Sequence, residues 1–220
     1  MLKAVFFDLD GTLLDTAPDM IGALDALRAD HSLAPADYAA ARAQVSNGAA
    51  GLLRLGFDHL DDAGREALRQ PYLDRYAARL ARATTPFPGM LAVLDALDAA
   101  QMPWGVVTNK PAFLTDPLLA ALDLARRSAV TVSGDTLAQR KPHPEPLLHA
   151  ARHVGVDCRR AVYVGDAPRD IEAGRAAGMV TVAVTYGYHS VDEDPTAWGA
   201  DHLVESPKKL LELPGLPGNA

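Results

Sequence analysis

From about residue 86 onward the chain alternates short, nearly continuous apolar runs with helical segments, and this rhythm limits the available folds more than any other feature. The runs are 104–108, 129–132, 161–164 and 180–184, rich in valine; the helical segments are about 90–100, 112–122, 146–154 and 169–177. Such runs, without polar alternation, are strands buried on both faces, and strands separated by helices pair in parallel. The pattern predicts a doubly wound α/β domain. A first strand at 3–7 belongs with the later ones. The block 15–85 between them has apolar residues at helical spacing, Met20, Leu24 and Leu27, then Leu68, Leu73, Tyr76 and Leu80. With no strand signal there, and breaks at 34–35, 46–48 and 57–62, it reads as four inserted helices. The expected organisation is a core of 1–14 and 86–213, a helical insertion of 15–85, and a flexible, proline-rich tail of 214–220.

A chain of 220 residues with 49% hydrophobic content can bury a sizeable core. Its net charge of -7, with 21 basic residues scattered rather than striped, argues against nucleic acid as a partner. Cys158 is the single cysteine, which excludes an intrachain disulfide and disfavours a thiolate metal site. Asp8 interrupts the first apolar run too early for a signal peptide, and no apolar stretch is long enough to span a membrane. The expectation is a cytoplasmic protein with no membrane partner.

Polar groups recur just after the strands, where open α/β sheets bind ligands. Asp8 and Asp10 flank Leu9 after the first strand, and two close carboxylates there require a cation or a shared proton. Gly11 permits a tight turn and close approach of its N–H to an oxyanion. Thr108 and Asn109 follow the second run and are able to donate to a phosphoryl oxygen. Lys141, stiffened by Pro142 and Pro144, offers a compact positive charge. Asp166 and Asp170, four apart at a turn into a helix, can converge on one point. Each has a plainer reading: an Asp-Gly turn, a turn-forming threonine, a surface lysine, an aspartate N-cap.

In order and spacing these clusters resemble the four motifs of the haloacid dehalogenase superfamily: Asp8-Leu9-Asp10-Gly11-Thr12, Thr108, Lys141, and Gly165-Asp166 with Asp170. The resemblance covers about residues 3–205. It implies a Rossmann-like core with the helical insertion as a C1-type cap, and a phosphatase acting on a small phosphorylated metabolite. It implies further that Asp8 is a nucleophile forming an aspartyl-phosphate and that Asp10 is the acid and base. Mg²⁺ would be held by the Asp8 carboxylate, the Asp10 carbonyl and Asp166, with Asp170 direct or through water. Thr108, the Asn109 backbone and Lys141 would grip the phosphoryl group.

Stretches such as Val107-Thr108-Asn109-Lys110-Pro111 and Ser133-Gly134-Asp135 look like bacterial phosphoglycolate phosphatases, while Tyr186-Gly187-Tyr188 and Trp198-Gly199-Ala200-Asp201 resemble a branch acting on N-acetylmuramic acid 6-phosphate. Both substrates carry a carboxylate. Asn47 and Gly48 in the cap turn, with Arg54 and Lys110, are the candidates for substrate selection, against the plainer reading of Arg54 and Lys110 as solvated cations. Other sugar phosphates, a phosphomutase and a non-catalytic phosphate- or metal-binding protein remain alternatives. A monomer and a homodimer are equally open.

Overall fold

The computed structural model describes residues 1–190 and 193–219. It opens with β1 (Ala4–Phe7), whose Val5 and Phe7 join the apolar cluster on one face of a sheet while Ala4 and Phe6 join that on the other. A turn leads to β2 (Leu14–Asp15). The helical block follows: α1 (Ala17–Asp30), α2 (Tyr38–Arg42), α3 (Gly48–Gly56), α4 (Asp62–Ala67) and α5 (Arg69–Ala77). β3 (Thr85–Pro86) returns antiparallel to β2, pairing Leu14 with Pro86 and Asp15 with Thr85.

The chain then alternates α6 (Met90–Ala99), β4 (Trp104–Val107), α7 (Ala112–Ala121), β5 (Thr131–Val132), α8 (Glu145–His153), β6 (Ala161–Gly165), α9 (Pro168–Ala177), β7 (Val180–Val184) and β8 (His202–Val204). Six strands form one parallel sheet in the order β5-β4-β1-β6-β7-β8. The chain builds outward from β1 through β4 to β5 and then crosses back to β6 on the other side of β1, so the switch point lies between the carboxyl ends of β1 and β6, beside that of β4. Phe7 pairs with both Val106 and Val164, which brings the residues following these three strands to one level. Among the described residues no helix is long and apolar enough to cross a membrane.

Four details depart from the sequence reading. The insertion carries five α-helices rather than four. Pro71 has no N–H for the carbonyl of Ala67, and the helix expected through this stretch restarts at Arg69. The β2–β3 ribbon at its base and the terminal strand β8 are too short to leave a period in the sequence. The segment expected to be a flexible tail contains Leu216, which is buried in the core.

The ribbon is where both chain connections to the helical block pass, and Asp19 ties them together. Its Oδ2 accepts from the N–H of Ala83 (3.0 Å), the N–H of Thr84 (2.9 Å) and the Thr84 hydroxyl (2.8 Å), with Asp19 and Thr84 both buried. Replacing Asp19 leaves two amides without an acceptor, and buried unsatisfied donors are costly. Asp19→Ala is expected to lower stability by about 2–4 kcal/mol, read from the urea midpoint at unchanged m-value.

Candidate active site

Asp8 and Asp10 leave β1 together but take different partners. Asp8, buried, continues the ladder through its N–H to Val164 O (2.8 Å), and its Oδ1 accepts from Lys141 Nζ (2.8 Å). The Asp10 carboxylate instead receives Lys110 Nζ, at 2.9 and 3.1 Å to its two oxygens. The two neighbouring acids thus each have their own lysine.

Lys141 is the hub. An ammonium has three protons, and here all three are engaged, with Asp8 Oδ1, with Asp170 Oδ1 (2.7 Å) and with the Tyr163 hydroxyl (2.6 Å). The Tyr163 hydroxyl in turn donates to Val107 O (2.7 Å), so its oxygen faces the lysine as an acceptor. Burial opposes the ammonium's charge, yet Asp170 and Asp8 outweigh it and hold its pKa above the usual lysine value. The Asn109 side chain clamps the Lys141 peptide, donating to its carbonyl (2.9 Å) and accepting from its N–H (3.1 Å). Thr108 is buried beside this clamp and accepts from the Lys110 N–H (3.2 Å).

Asp166, after β6, lies between two glycines. A Cβ on Gly11, whose φ is +86°, would stand 2.0 Å from Asp166 Oδ2, and one on Gly187 would stand 2.3 Å from Asp166 Cβ. Gly11 was expected to make room for an oxyanion; the group that fills the room is this carboxylate. Asp166 Oδ2 accepts from the Tyr188 N–H (2.8 Å) and from Ser46 Oγ (2.7 Å). Asp170 takes the Ala167 N–H on its other oxygen (3.1 Å).

Carboxylate oxygens of Asp8, Asp166 and Asp170 lie within 4.8 Å of one another, all buried. Burial first, then the charges of Asp8 and Asp170, push the Asp166 carboxyl up to about 8. Burial above all raises Asp170 as well, against the pull of Lys141. The site holds four carboxylates, counting Asp10, against Lys141, Lys110 and Arg169, whose guanidinium acts on Asp170, Asp8 and Asp166. An oxygen-only donor set with surplus negative charge fits a hard divalent cation. The Asp10 carboxylate is not among the three that converge.

The selection candidates fare unevenly. Ser46, not Asn47, is the residue of the cap turn that reaches the acidic cluster. The Asn47 side chain is exposed and donates to Gln44 Oε1 (3.2 Å), and Gly48 faces open space. Arg54 is exposed on α3, where its charge acts on Asp62. Lys110 is neither solvated nor free, because Asp10 occupies it. Sequence reasoning overlooked Tyr163, Tyr188 and Arg169. The Tyr188 hydroxyl donates to Asp15 Oδ1 (2.5 Å) and accepts from the Ala17 N–H (2.9 Å), while Arg42 of α2 lies 4.5 Å over its ring. Arg169 donates to Ser46 O (2.5 Å). Beside these contacts a cavity of about 280 Å³ is lined by Ser46, Asn47, Asp166, Arg169, Glu172 and Tyr188 among others. The available signals were the position of Arg169, next to Asp170 in the fourth cluster, and the Tyr186-Gly187-Tyr188 stretch that holds Tyr188.

The family description that matches residues 2–178 is haloacid dehalogenase-like hydrolase. The chain is 48% identical over 215 residues to a phosphoglycolate phosphatase of Xanthomonas campestris pv. campestris, covering 98% of this chain and 97% of that one. It is 46% identical over 213 residues to the N-acetylmuramic acid 6-phosphate phosphatase of Pseudomonas aeruginosa, covering 96% and 94%. A crystal structure of a predicted phosphoglycolate phosphatase from Haemophilus somnus superimposes with a TM-score of 0.85 at 26% identity, over 96% of this chain and 97% of that one.

The raised Asp166 carboxyl has a consequence for stability. Without a metal, the folded protein keeps a proton that the unfolded chain releases near 3.8, so this contribution is complete below that pH and is lost as pH rises towards about 8. The melting temperature of the metal-free protein is expected to fall across this window more steeply than that of Asp166→Asn. A saturating divalent cation should remove the difference for the unmutated protein, and equal slopes without metal would contradict the assignment.

Proposed function

The chain belongs to the haloacid dehalogenase-like hydrolase family, and on that premise we propose that it is a Mg²⁺-dependent phosphate monoester hydrolase. Its substrate in this reading is a small, carboxylate-bearing phosphate such as 2-phosphoglycolate or N-acetylmuramic acid 6-phosphate, as the names of its relatives suggest. The observation that carries it is the convergence of Asp8, Asp166 and Asp170 around Lys141 at the switch point of the sheet.

Asp8 attacks phosphorus and forms an aspartyl-phosphate as the bond to the leaving oxygen breaks. Asp10 gives that oxygen a proton, then takes one from the water that releases phosphate. Asp8, Asp166, Asp170 and the Asp10 carbonyl are the groups that would hold Mg²⁺, which supplies charge neutralisation and phosphoryl orientation when bound. Lys141 and Thr108 grip the phosphoryl oxygens, with the backbone of Asn109, while the Gly11 N–H donates to Leu14 O (3.0 Å). Every Lys141 proton has an internal partner, so a phosphoryl group bound to this ammonium takes one of them over. The helical block acts as a cap over this chemistry, its inner turn meeting the core through Ser46 and Asp166. A single cysteine suits a cytoplasmic setting.

A phosphate-release screen with Mg²⁺ tests the reading. Higher kcat/KM on 2-phosphoglycolate or N-acetylmuramic acid 6-phosphate than on common sugar phosphates is expected, and the ratio of the first two names the substrate. Asp8→Asn should lower turnover about a thousandfold or more while leaving the circular dichroism unchanged. Substantial activity in that variant would remove Asp8 as nucleophile. Metal binding with no hydrolysis of any ester would favour a non-catalytic protein.

A further inference from the structure

Lys110 sits between the core and the helical block, held by both. Its N–H donates to Thr108 Oγ1 (3.2 Å), and its carbonyl accepts from the Gly134 N–H (2.9 Å) and from Thr115 Oγ1 (3.3 Å). Its ammonium lies 4.5 Å over the ring of Tyr76 from α5 and 3.9 Å from Met20 Sδ of α1. Only 4% of the side chain is exposed, against 14% for that of Asp10. A lysine stem ordinarily samples many rotamers, but this one is walled in from two directions.

The ammonium contacts both Asp10 oxygens, at 2.9 and 3.1 Å. A free carboxylate turns easily about its last bond, whereas one gripped at both oxygens has its plane set. We propose that Lys110 is the positioning residue for Asp10, and that the cap side chains Tyr76 and Met20 hold it in place for that task. The inference rests on the acid and base role read for Asp10.

The role concerns two proton transfers. In the first half-reaction the Asp8–phosphorus bond forms, the bond from phosphorus to the leaving oxygen breaks, and the Asp10 proton passes to that oxygen. In the second, the oxygen of water bonds phosphorus, the electron pair of the breaking bond returns to the Asp8 carboxylate, and the water proton passes to Asp10. Both require an Asp10 oxygen aimed within hydrogen-bond reach.

Phenyl and p-nitrophenyl phosphate separate positioning from general damage, because they are similar in shape, neither carries a carboxylate, and only the poorer leaving group, phenolate, depends heavily on a proton. Lys110→Met is expected to lower kcat/KM for phenyl phosphate about tenfold or more, and for p-nitrophenyl phosphate less than about threefold. Added to Asp10→Asn, it should cost nothing further, since a residue acting through Asp10 has nothing left to act through. If Lys110→Met does not fold by circular dichroism, Lys110→Gln, which keeps an amide donor, replaces it and should show the same selectivity in milder form. Equal losses on the two esters, or additive losses in the double variant, would overturn the proposal. Should Asp10→Asn itself slow both esters equally, the acid role of Asp10 fails instead.

Discussion

One ammonium surrounded by buried acids organises the centre of this molecule. Lys141 reaches Asp8 from the end of β1, Asp170 from the start of α9 and Tyr163 from within β6, so it joins segments far apart in the chain. Removing one partner of such a buried pair costs about 3–5 kcal/mol, because the other charge is left in a poor solvent. The same pairing leaves the acids underneutralised. Three carboxylates facing Lys141 and Arg169 in a closed space favour either an added cation or a retained proton, and burial with the charges of Asp8 and Asp170 raises the Asp166 carboxyl towards the second.

Close backbone approach and a side-chain clamp together shape this centre. Asp166 can approach the first turn only because Gly11 and Gly187 present no Cβ, and Lys141 is aimed by the Asn109 amide gripping its peptide from both sides. The helical block contributes by contact. Ser46 touches a carboxylate of the cluster, Tyr76 and Met20 cover Lys110, and Arg42 covers the ring of Tyr188. Asp8, Asp10, Asp166 and Asp170 belong to the sheet domain, while their surroundings belong in part to the inserted helices. A movement of the block would therefore alter the chemistry's surroundings without displacing Asp8 or Asp166 from the sheet.

Where the sequence was legible, the signal was periodic or local. Valine-rich runs marked strands because both faces of a parallel sheet are buried, and the polar residues right after them marked the ligand edge for the same topological reason. Where it was silent, the element was short or the relation was long-range. The β2–β3 ribbon has two residues a side, β8 has three, and neither can display a period. Lys110 and Arg54 were alike as sequence, each a basic residue beside a motif or a cap turn. Folding buried one against Asp10 and left the other exposed near Asp62.

The sequence by itself determined the layered α/β architecture and the identities of the residues at the strand ends, since both follow from hydrophobic period and from which groups stand at the carboxyl edge. Tertiary structure alone decided which charge meets which. Asp8 took Lys141 and Asp10 took Lys110, although the two acids are separated by one residue, because β6 and α9 close over one side of the turn while the helical block closes over the other. Coulomb attraction acts between positions in space, and separations of 133 and 100 residues along the chain carry no trace of it.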